Sequence, residues 1–196
     1  MLLAQHLANS ARIPEAIDRQ FLTDLRRAAP LHDIGKVAIP DTILRKPGRL
    51  TEAEFITMQN HTRIGAETLR AVIAKGHDTS FLQMAMDIAL YHHERFDGRG
   101  YPEGLGGDEI PLSARLVCLA DSYDAIRTQR EYKPARSHGE ATAEIRKGSG
   151  RQFDPRLVEL YCNLREEFKR TYHALAEEQP QAHARPVVSA LAAATV

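Results

Sequence analysis

Cysteine, net charge and long apolar runs are all scarce in this sequence, and each shortage excludes a class of protein. Two cysteines in 196 residues are too few for a disulfide framework or a cysteine metal site, and Cys118 is expected in the core. The 26 basic and 26 acidic residues cancel, so no overall field directs the chain to nucleic acid or acidic membranes. No apolar run approaches the roughly 20 residues that cross a bilayer, and the start lacks a signal-peptide pattern. We therefore expect a cytoplasmic protein without a nucleic-acid or membrane partner.

Alternating apolar and polar positions, which typify half-buried strands, are absent over any useful length, and so are internal repeats. Hydrophobic residues at 43% and charged residues at 27% nevertheless describe an ordinary globular domain that is long enough for a core. The apolar residues recur at helical spacing instead. We predict an all-α bundle of about six or seven helices over residues 1–177, followed by a flexible tail over 178–196.

Local start signals place several of these helices. Thr51 with Glu54, and Ser137 with Glu140, have the spacing of capping boxes. Three further helix starts are predicted at Ser80, at Pro111 and at Asp154-Pro155.

An imidazole and a carboxylate stand side by side at His32-Asp33, where an apolar helical pattern ends. That pattern consists of Ile17, Phe21, Leu22, Leu25 and Ala28. Gly35 indicates the helix stop, because glycine enters the left-handed backbone region without steric cost. Successive helical residues lie about 100° apart, so the two side chains share no helix face. They can still approach one metal cluster from a helix end, the carboxylate bridging two ions and the imidazole binding one.

Further metal-binding side chains prolong apolar rows downstream. His61 follows Met58 by three residues, and the pair His92-His93 continues rows spaced by four on the next helix. Asp121 is predicted beside an apolar face that consists of Leu112, Leu116, Leu119 and Ala120. Any one of these polar residues has a solvated or hydrogen-bonded role as its alternative. The occurrence of all these residues in apolar patterns favours a shared metal site, because buried polar groups need partners.

A glycine-rich loop follows the histidine pair. Five glycines fall among the fourteen residues 94–107, together with Tyr101 and Pro102, which a flexible linker would not hold. Beyond the next helix, Arg130 and Lys133 belong to a short basic run whose alternative interpretation is a solvated helix face.

Together these motifs resemble the HD-GYP domain, the branch of the HD phosphohydrolase superfamily that hydrolyses cyclic di-GMP. The likeness covers roughly residues 2–165, in the segments 29–36, 39–51, 60–61, 92–102, 110–115, 120–125 and 150–155. It implies an HD-domain-like helical bundle around a metal centre. It also implies metal-dependent hydrolysis of cyclic di-GMP to pGpG, with GMP left open as a further product, in bacterial second-messenger signalling.

The resemblance also implies roles for individual residues. The metal ligands would be His32, Asp33, His61, His92, His93 and Asp121. Asp33 and Lys36 would be catalytic, Asp33 by bridging two ions and Lys36 by neutralising the phosphate or the attacking hydroxide. The substrate contacts would be Lys36, Arg130, Lys133, Tyr101 and Pro102. In the family, the loop 100–102 is linked to contact with the cyclases that make cyclic di-GMP, which makes a diguanylate cyclase a possible protein partner.

An imidazole-rich site with a carboxylate bridge favours two Fe or Mn ions, with Ni, Zn and Mg as alternatives. Family members also carry a glutamate and a histidine, four residues apart, upstream of the His-Asp pair. Counted back from His32, those positions fall before or at Met1, and His6 lies too close to replace them. We therefore expect a chain truncated at its N-terminus, which puts a third metal in doubt.

Two functions stay open at this point. The first is a metal-dependent cyclic di-GMP phosphodiesterase. The second is a catalytically weak or inactive HD-GYP module that acts as a cyclic di-GMP sensor or a protein-interaction domain. A nucleotidase of other specificity is disfavoured by the Gly-Tyr-Pro sequence at 100–102.

Overall fold

The computed structural model describes residues 17–77, 79–128 and 135–178. These residues form seven α-helices and no strand, which confirms the all-α prediction. The helices are α1 Arg19–Ala28, α2 Asp41–Leu44, α3 Glu52–Ala74, α4 Ser80–Tyr91, α5 Leu112–Arg127, α6 His138–Lys147 and α7 Pro155–Glu178. Three 3-10 helices join them at Ala29–Leu31, Ile34–Ala38 and Gly107–Glu109. The predictions for Arg130 and Lys133 and for the tail beyond 178 lie outside the described residues.

Two helices, α3 and α6, begin with the capping boxes that the sequence predicts. The hydroxyls of Thr51 and Ser137 accept backbone N–H bonds from Glu54 and Glu140, whose carboxylates bond back. At α4 the prediction was one residue late. Thr79 has the extended backbone of a capping residue and caps α4, whereas Ser80 is already helical.

The core lies where α1, α4, α5, α6 and α7 meet. Its fully buried members are Ala28, Ala85, Ile88, Ala89, Leu119, Ala141, Ile145, Leu157 and Tyr161. Several are alanines, which let helix axes approach closely. Cys118 is buried in α5, as predicted. Ala120 is exposed, contrary to prediction, because α5 is buried on all sides only as far as Leu119 and presents no continuous apolar stripe.

The His-Asp segment lies against α3 at very close range. A Cβ atom on Gly35 would stand 2.0 Å from the carbonyl oxygen of His61 and 2.6 Å from the backbone nitrogen of Gly65. Gly35 lies inside the 3-10 helix Ile34–Ala38 and not in the left-handed region, so its predicted role as a helix stop was wrong. Its missing side chain instead lets the segment that carries Asp33 rest on the α3 backbone beside His61.

Among the described helices, none combines the length and the apolar character that crossing a bilayer requires.

Candidate metal centre

Four predicted ligands come together from separate parts of the fold. Asp33, His61, His92 and His93 offer ligand atoms that all lie within 4.8 Å of one another. Asp33 precedes the second 3-10 helix, His61 comes from α3, and the histidine pair follows directly on α4. His61 and His92 are each 1% exposed and His93 is 7% exposed, so all three imidazoles are removed from water.

Hydrogen bonds to the backbone fix which ring nitrogen is available to a metal in three of the four histidines. Nδ1 lies 2.7 to 2.9 Å from a carbonyl oxygen of the preceding turn in three pairs: His32 with Ala29, His61 with Met58, and His92 with Ile88. A carbonyl oxygen can only accept, so Nδ1 carries the hydrogen and Nε2 keeps a lone pair. Hydrogen bonding of one ring nitrogen to a carbonyl is the usual way in which proteins orient metal-binding imidazoles.

These Nε2 lone pairs point to one place, where no group of the described residues donates a hydrogen bond to them. The Nε2 atoms of His32, His61 and His92 are buried, as is Oδ1 of Asp33, and none has a hydrogen-bond partner among the described residues. Four buried acceptors in one place would be costly unless a cation joined them. The donor set of imidazole nitrogen and carboxylate oxygen therefore fits a divalent transition metal.

Asp33 presents its two oxygens to different neighbours. Oδ1 lies 3.6 Å from Nε2 of His61 and 3.8 Å from Nε2 of His92. Oδ2 lies 3.2 Å from Nε2 of His32 and 2.6 Å from Nζ of Lys36. The carboxylate thus stands between two groups of side chains, which is the arrangement that a bridging ligand requires.

Asp121 and His93 lie on opposite sides of this carboxylate. On the Oδ2 side, Asp121 of α5 places an oxygen 3.9 Å from Nε2 of His32. On the other side, the His93 ring packs against that of His92, with ring centroids 3.9 Å apart. All six predicted ligands therefore lie in one neighbourhood, although Asp121 and His32 fall outside the tightest group of four.

Burial and charge set the protonation of the site. Burial lowers the pKa of His61, and it lowers the pKa of His92 to about 3. The pKa of His93 falls well below its ordinary value for the same reason. Burial would raise the pKa of Asp33, but the neighbouring His32 and Lys36 outweigh burial and lower it. Burial would lower the pKa of His32, but the carboxylates of Asp33 and Asp121 outweigh burial and raise it. The neutral imidazoles of His61, His92 and His93 and the ionised Asp33 are the forms that bind metal.

Glu94 organises the glycine-rich loop, and sequence analysis did not single it out. Its side chain is buried, and Oε1 accepts the backbone N–H groups of Glu103 at 2.7 Å and Gly104 at 3.0 Å. Arg63 of α3 adds a bond to the carbonyl oxygen of Pro102 at 3.0 Å and an ion pair with Glu103 at 2.9 Å. The only sequence signal was its position directly after the histidine pair.

Of the two predicted loop residues, Tyr101 borders the site, whereas Pro102 does not line the cavity that opens there. The ring of Tyr101 packs on that of His93, with centroids 4.9 Å apart, and meets Phe55 edge-on at 6.1 Å. Burial raises the pKa of Tyr101, so this phenol stays protonated and is not a base. A cavity of about 770 Å³ opens here and is lined by His92, His93, Asp121 and Tyr101 among others.

Fold and site together define an all-helical domain with a buried histidine–aspartate cluster that could hold a metal ion. Comparison with known families places the chain more closely: residues 3–157 match the family model of the HD domain, and the chain belongs to this family. The resemblance noted from the motifs is thereby confirmed.

Curated relatives extend the likeness. The chain is 49% identical over 168 residues to a cyclic di-GMP phosphodiesterase of Vibrio cholerae, covering 85% of this chain and 34% of that protein. It is 44% identical over 171 residues to a cyclic di-GMP phosphodiesterase of Thermotoga maritima, covering 86% of this chain and 45% of that protein. The chain thus spans less than half of the length of these relatives.

A crystal structure of a cyclic GMP-AMP specific phosphodiesterase of Vibrio cholerae superposes with a TM-score of 0.55 at 21% identity. The match covers 89% of this chain and 43% of that chain. At this identity the likeness concerns the fold, and it supports the HD-domain bundle seen here.

Proposed function

We propose that this chain is a phosphodiesterase domain of the HD-GYP type that hydrolyses cyclic di-GMP to pGpG with the help of two divalent metal ions. The observation that carries the proposal is the convergence of three buried Nε2 atoms on Asp33. The names of the relatives from Vibrio cholerae and Thermotoga maritima support the choice of substrate. Chromatography of the reaction products will show whether GMP follows pGpG as a second product.

The donor atoms divide into two ligand sets. His61, His92 and His93 would hold one ion with Oδ1 of Asp33, and His32 and Asp121 would hold the other with Oδ2. Bound ions would act as Lewis acids on the phosphodiester and supply a nucleophile at neutral pH. Mixed imidazole and carboxylate donors suit Fe or Mn, with Ni, Zn and Mg as the alternatives to be compared.

The protein side chains orient the reactants and balance their charge. Asp33 fixes the two ligand sets relative to each other through its two oxygens. Lys36 holds its ammonium group 2.6 Å from Oδ2 of Asp33, where it would offset negative charge on the scissile phosphate. Tyr101 would form part of the wall against which the nucleotide lies, and Pro102 stays a predicted substrate contact. Arg130 and Lys133, outside the described residues, stay predicted phosphate contacts.

Two wider parts of the proposal concern the setting of the domain. The loop 100–102, held by Glu94 and Arg63, is the proposed contact for a diguanylate cyclase. The thiols of Cys118 and Cys162 are both free, which suits a reducing compartment such as the cytoplasm.

The deciding experiment is turnover of cyclic di-GMP by protein purified without oxygen and loaded separately with Fe²⁺ or Mn²⁺. Chromatography of the products should show pGpG first, and any GMP later. An Asp33→Asn variant is the control, and 3'3'-cGAMP is the competing substrate. Binding of cyclic di-GMP without hydrolysis would establish the sensor alternative instead. Neither binding nor hydrolysis in metal-loaded protein would refute the proposed function.

A further inference from the structure

Three basic side chains line the cavity that His92, His93 and Asp121 also line, and we propose that they form a second anion subsite. They are Arg99 of the glycine-rich loop, Lys147 at the end of α6, and Arg151 in the turn before α7. The inference rests on the proposed function and deepens it: this subsite would bind the phosphate of the cyclic dinucleotide that is not being cleaved.

These three cations differ from Arg95 and Glu144, which also line the cavity, in making no close ion pair, although Arg99 has a longer-range attraction to Asp97. Arg95 pairs with Asp97 at 2.8 Å, and Glu144 lies 3.4 Å from Arg136. Oε1 of Glu94 accepts backbone N–H groups of the loop, whereas its Oε2 has no hydrogen-bond partner among the described residues. By contrast, the side chains of Arg99, Lys147 and Arg151 make no ion pair or hydrogen bond with any described residue. Unpaired cations in a cleft raise the local concentration of anions.

Hydrogen bonds hold this basic wall in a fixed place relative to the metal centre. The N–H of Asp97 donates to the carbonyl oxygen of Arg151 at 2.8 Å, which joins the turn to the glycine-rich loop. The side chain of Gln152 donates to Ser122 at 3.2 Å, and Ser122 follows the ligand Asp121 on α5. The turn is therefore anchored both to the loop and to the helix that carries a metal ligand.

The size of the cavity matches a ligand larger than one phosphate. Its volume of about 770 Å³ lies within the usual range for small-molecule sites. A cyclic dinucleotide carries two phosphodiesters, and the metal centre with Lys36 can accept only the scissile one. Burying the second phosphate without a cation would be costly. Among the residues that the structure describes, the basic wall meets that need, so it should favour cyclic dinucleotides over simple phosphodiesters.

The test removes two of the cations and compares two substrates. We expect Lys147→Gln with Arg151→Gln to raise KM for cyclic di-GMP about tenfold, which is the effect of two exposed charge contacts, and to leave kcat unchanged. KM for bis(p-nitrophenyl) phosphate, which has a single phosphodiester, should not change. The Kd for cyclic di-GMP, measured by calorimetry on metal-free protein, should rise with the KM. A Lys147→Arg variant should behave like the wild type.

The matched control is Lys169→Gln with Arg170→Gln, which removes two exposed charges from α7 away from the cavity lining. Three outcomes would overturn the subsite while leaving the phosphodiesterase proposal intact. They are an unchanged KM for cyclic di-GMP in the cavity variant, an equal rise in KM for both substrates, and an equal rise in KM in the control variant. A wild-type chain that neither binds nor cleaves cyclic di-GMP would overturn both proposals.

Discussion

At the scale of single residues, three of the four histidines of the candidate centre are oriented by their own stretch of backbone. The carbonyl that holds Nδ1 lies three or four residues earlier in the chain, as with Met58 for His61 and Ile88 for His92. Such a bond needs no distant partner, so the tautomer is set as soon as the local turn forms. Tertiary packing then only has to bring the Nε2 atoms together.

Substitutions of Asp33 and Lys36 should have different effects on metal content, because Asp33 would bind metal and Lys36 would not. Asp33→Asn removes the charge and turns one of the two acceptor oxygens into a donor nitrogen, so we expect loss of both metal and hydrolysis. Lys36→Met should keep the metal and slow turnover about a hundredfold, the usual cost of losing one charge-stabilising group. Metal content by mass spectrometry and kcat on cyclic di-GMP measure the two effects. Normal turnover in the Lys36 variant would remove this lysine from the mechanism.

At the scale of helices and turns, the site depends on a contact between two glycines. The backbone nitrogen of Gly35 would lie only 3.3 Å from a Cβ at Gly65, and a Cβ at Gly35 has no space at all. This contact sets the distance between the segment with Asp33 and the helix with His61. The geometry of the candidate metal centre therefore depends on the absence of side chains at Gly35 and Gly65.

Gly35→Ala should destabilise the fold and disturb the site together. The added methyl group would meet rigid backbone atoms of α3, so we expect a loss of about 3 kcal/mol in unfolding free energy. For a chain of this size that lowers Tm by about 10 °C. Gly139→Ala is the control, because the nearest atom to its Cβ would be 4.0 Å away, at the start of α6. Thermal unfolding of both variants is the measurement, and a Gly35 variant as stable as the control would contradict the close contact.

A buried ion pair joins α5 to the start of α7. Nη1 of Arg115 lies 2.7 Å from Oδ2 of Asp154, and the two side chains are 3% and 0% exposed. Burial would raise the pKa of Asp154, but hydrogen bonds from Arg156 and Arg115 outweigh burial and lower it. A depressed folded-state pKa gives stability above the unfolded value near pH 4, and that stability is lost as the pH falls through the folded pKa.

Asp154→Asn should therefore show a stability deficit that depends on pH. At pH 7 the variant removes the buried carboxylate charge beside Arg115, which keeps its ion pair with the exposed Asp108, so we expect a loss of about 2 kcal/mol. The gap to the wild type should stay constant down to about pH 5 and narrow as the pH falls below about 4. In that range Asp154 is protonated in the unfolded chain and still charged in the folded one, until the pH passes its lowered folded pKa. Urea unfolding across this range measures the gap. A gap that widens on acidification would show that Asp154 is not stabilised in its charged form.

At the scale of the whole molecule, the features that the sequence predicted correctly arise from interactions between residues close together in the chain. Caps at three-residue spacing and apolar rows at three and four placed the helices, and they brought His61 and the histidine pair to the interior. Contacts between distant residues left no such signal. Arg63 reaches Pro102 across 39 residues, and Glu94 binds N–H groups nine and ten residues on, through a loop without periodicity. Gly35 was misjudged for the same reason, since its need for space comes from α3.

Metal binding should stabilise the entire domain, because the proposed ligands come from the His-Asp segment, α3, α4 and α5. An ion that binds only the folded chain adds about 2.7 kcal/mol when its concentration is 100 times Kd. That corresponds to a rise in Tm of about 5 to 10 °C for a chain of this length. Calorimetric scans with and without Mn²⁺ measure the rise.

The double variant His92→Ala with His93→Ala should lose most of its bound metal and with it this rise in Tm. The comparison uses the change in Tm on adding Mn²⁺, since removing two buried rings lowers Tm by itself. His77→Ala is the control, because this histidine is exposed and lies away from the centre, so its variant should keep the full rise. Equal rises in wild type, control and double variant would mean that the ion binds elsewhere, and the assignment of the α4 end would be wrong.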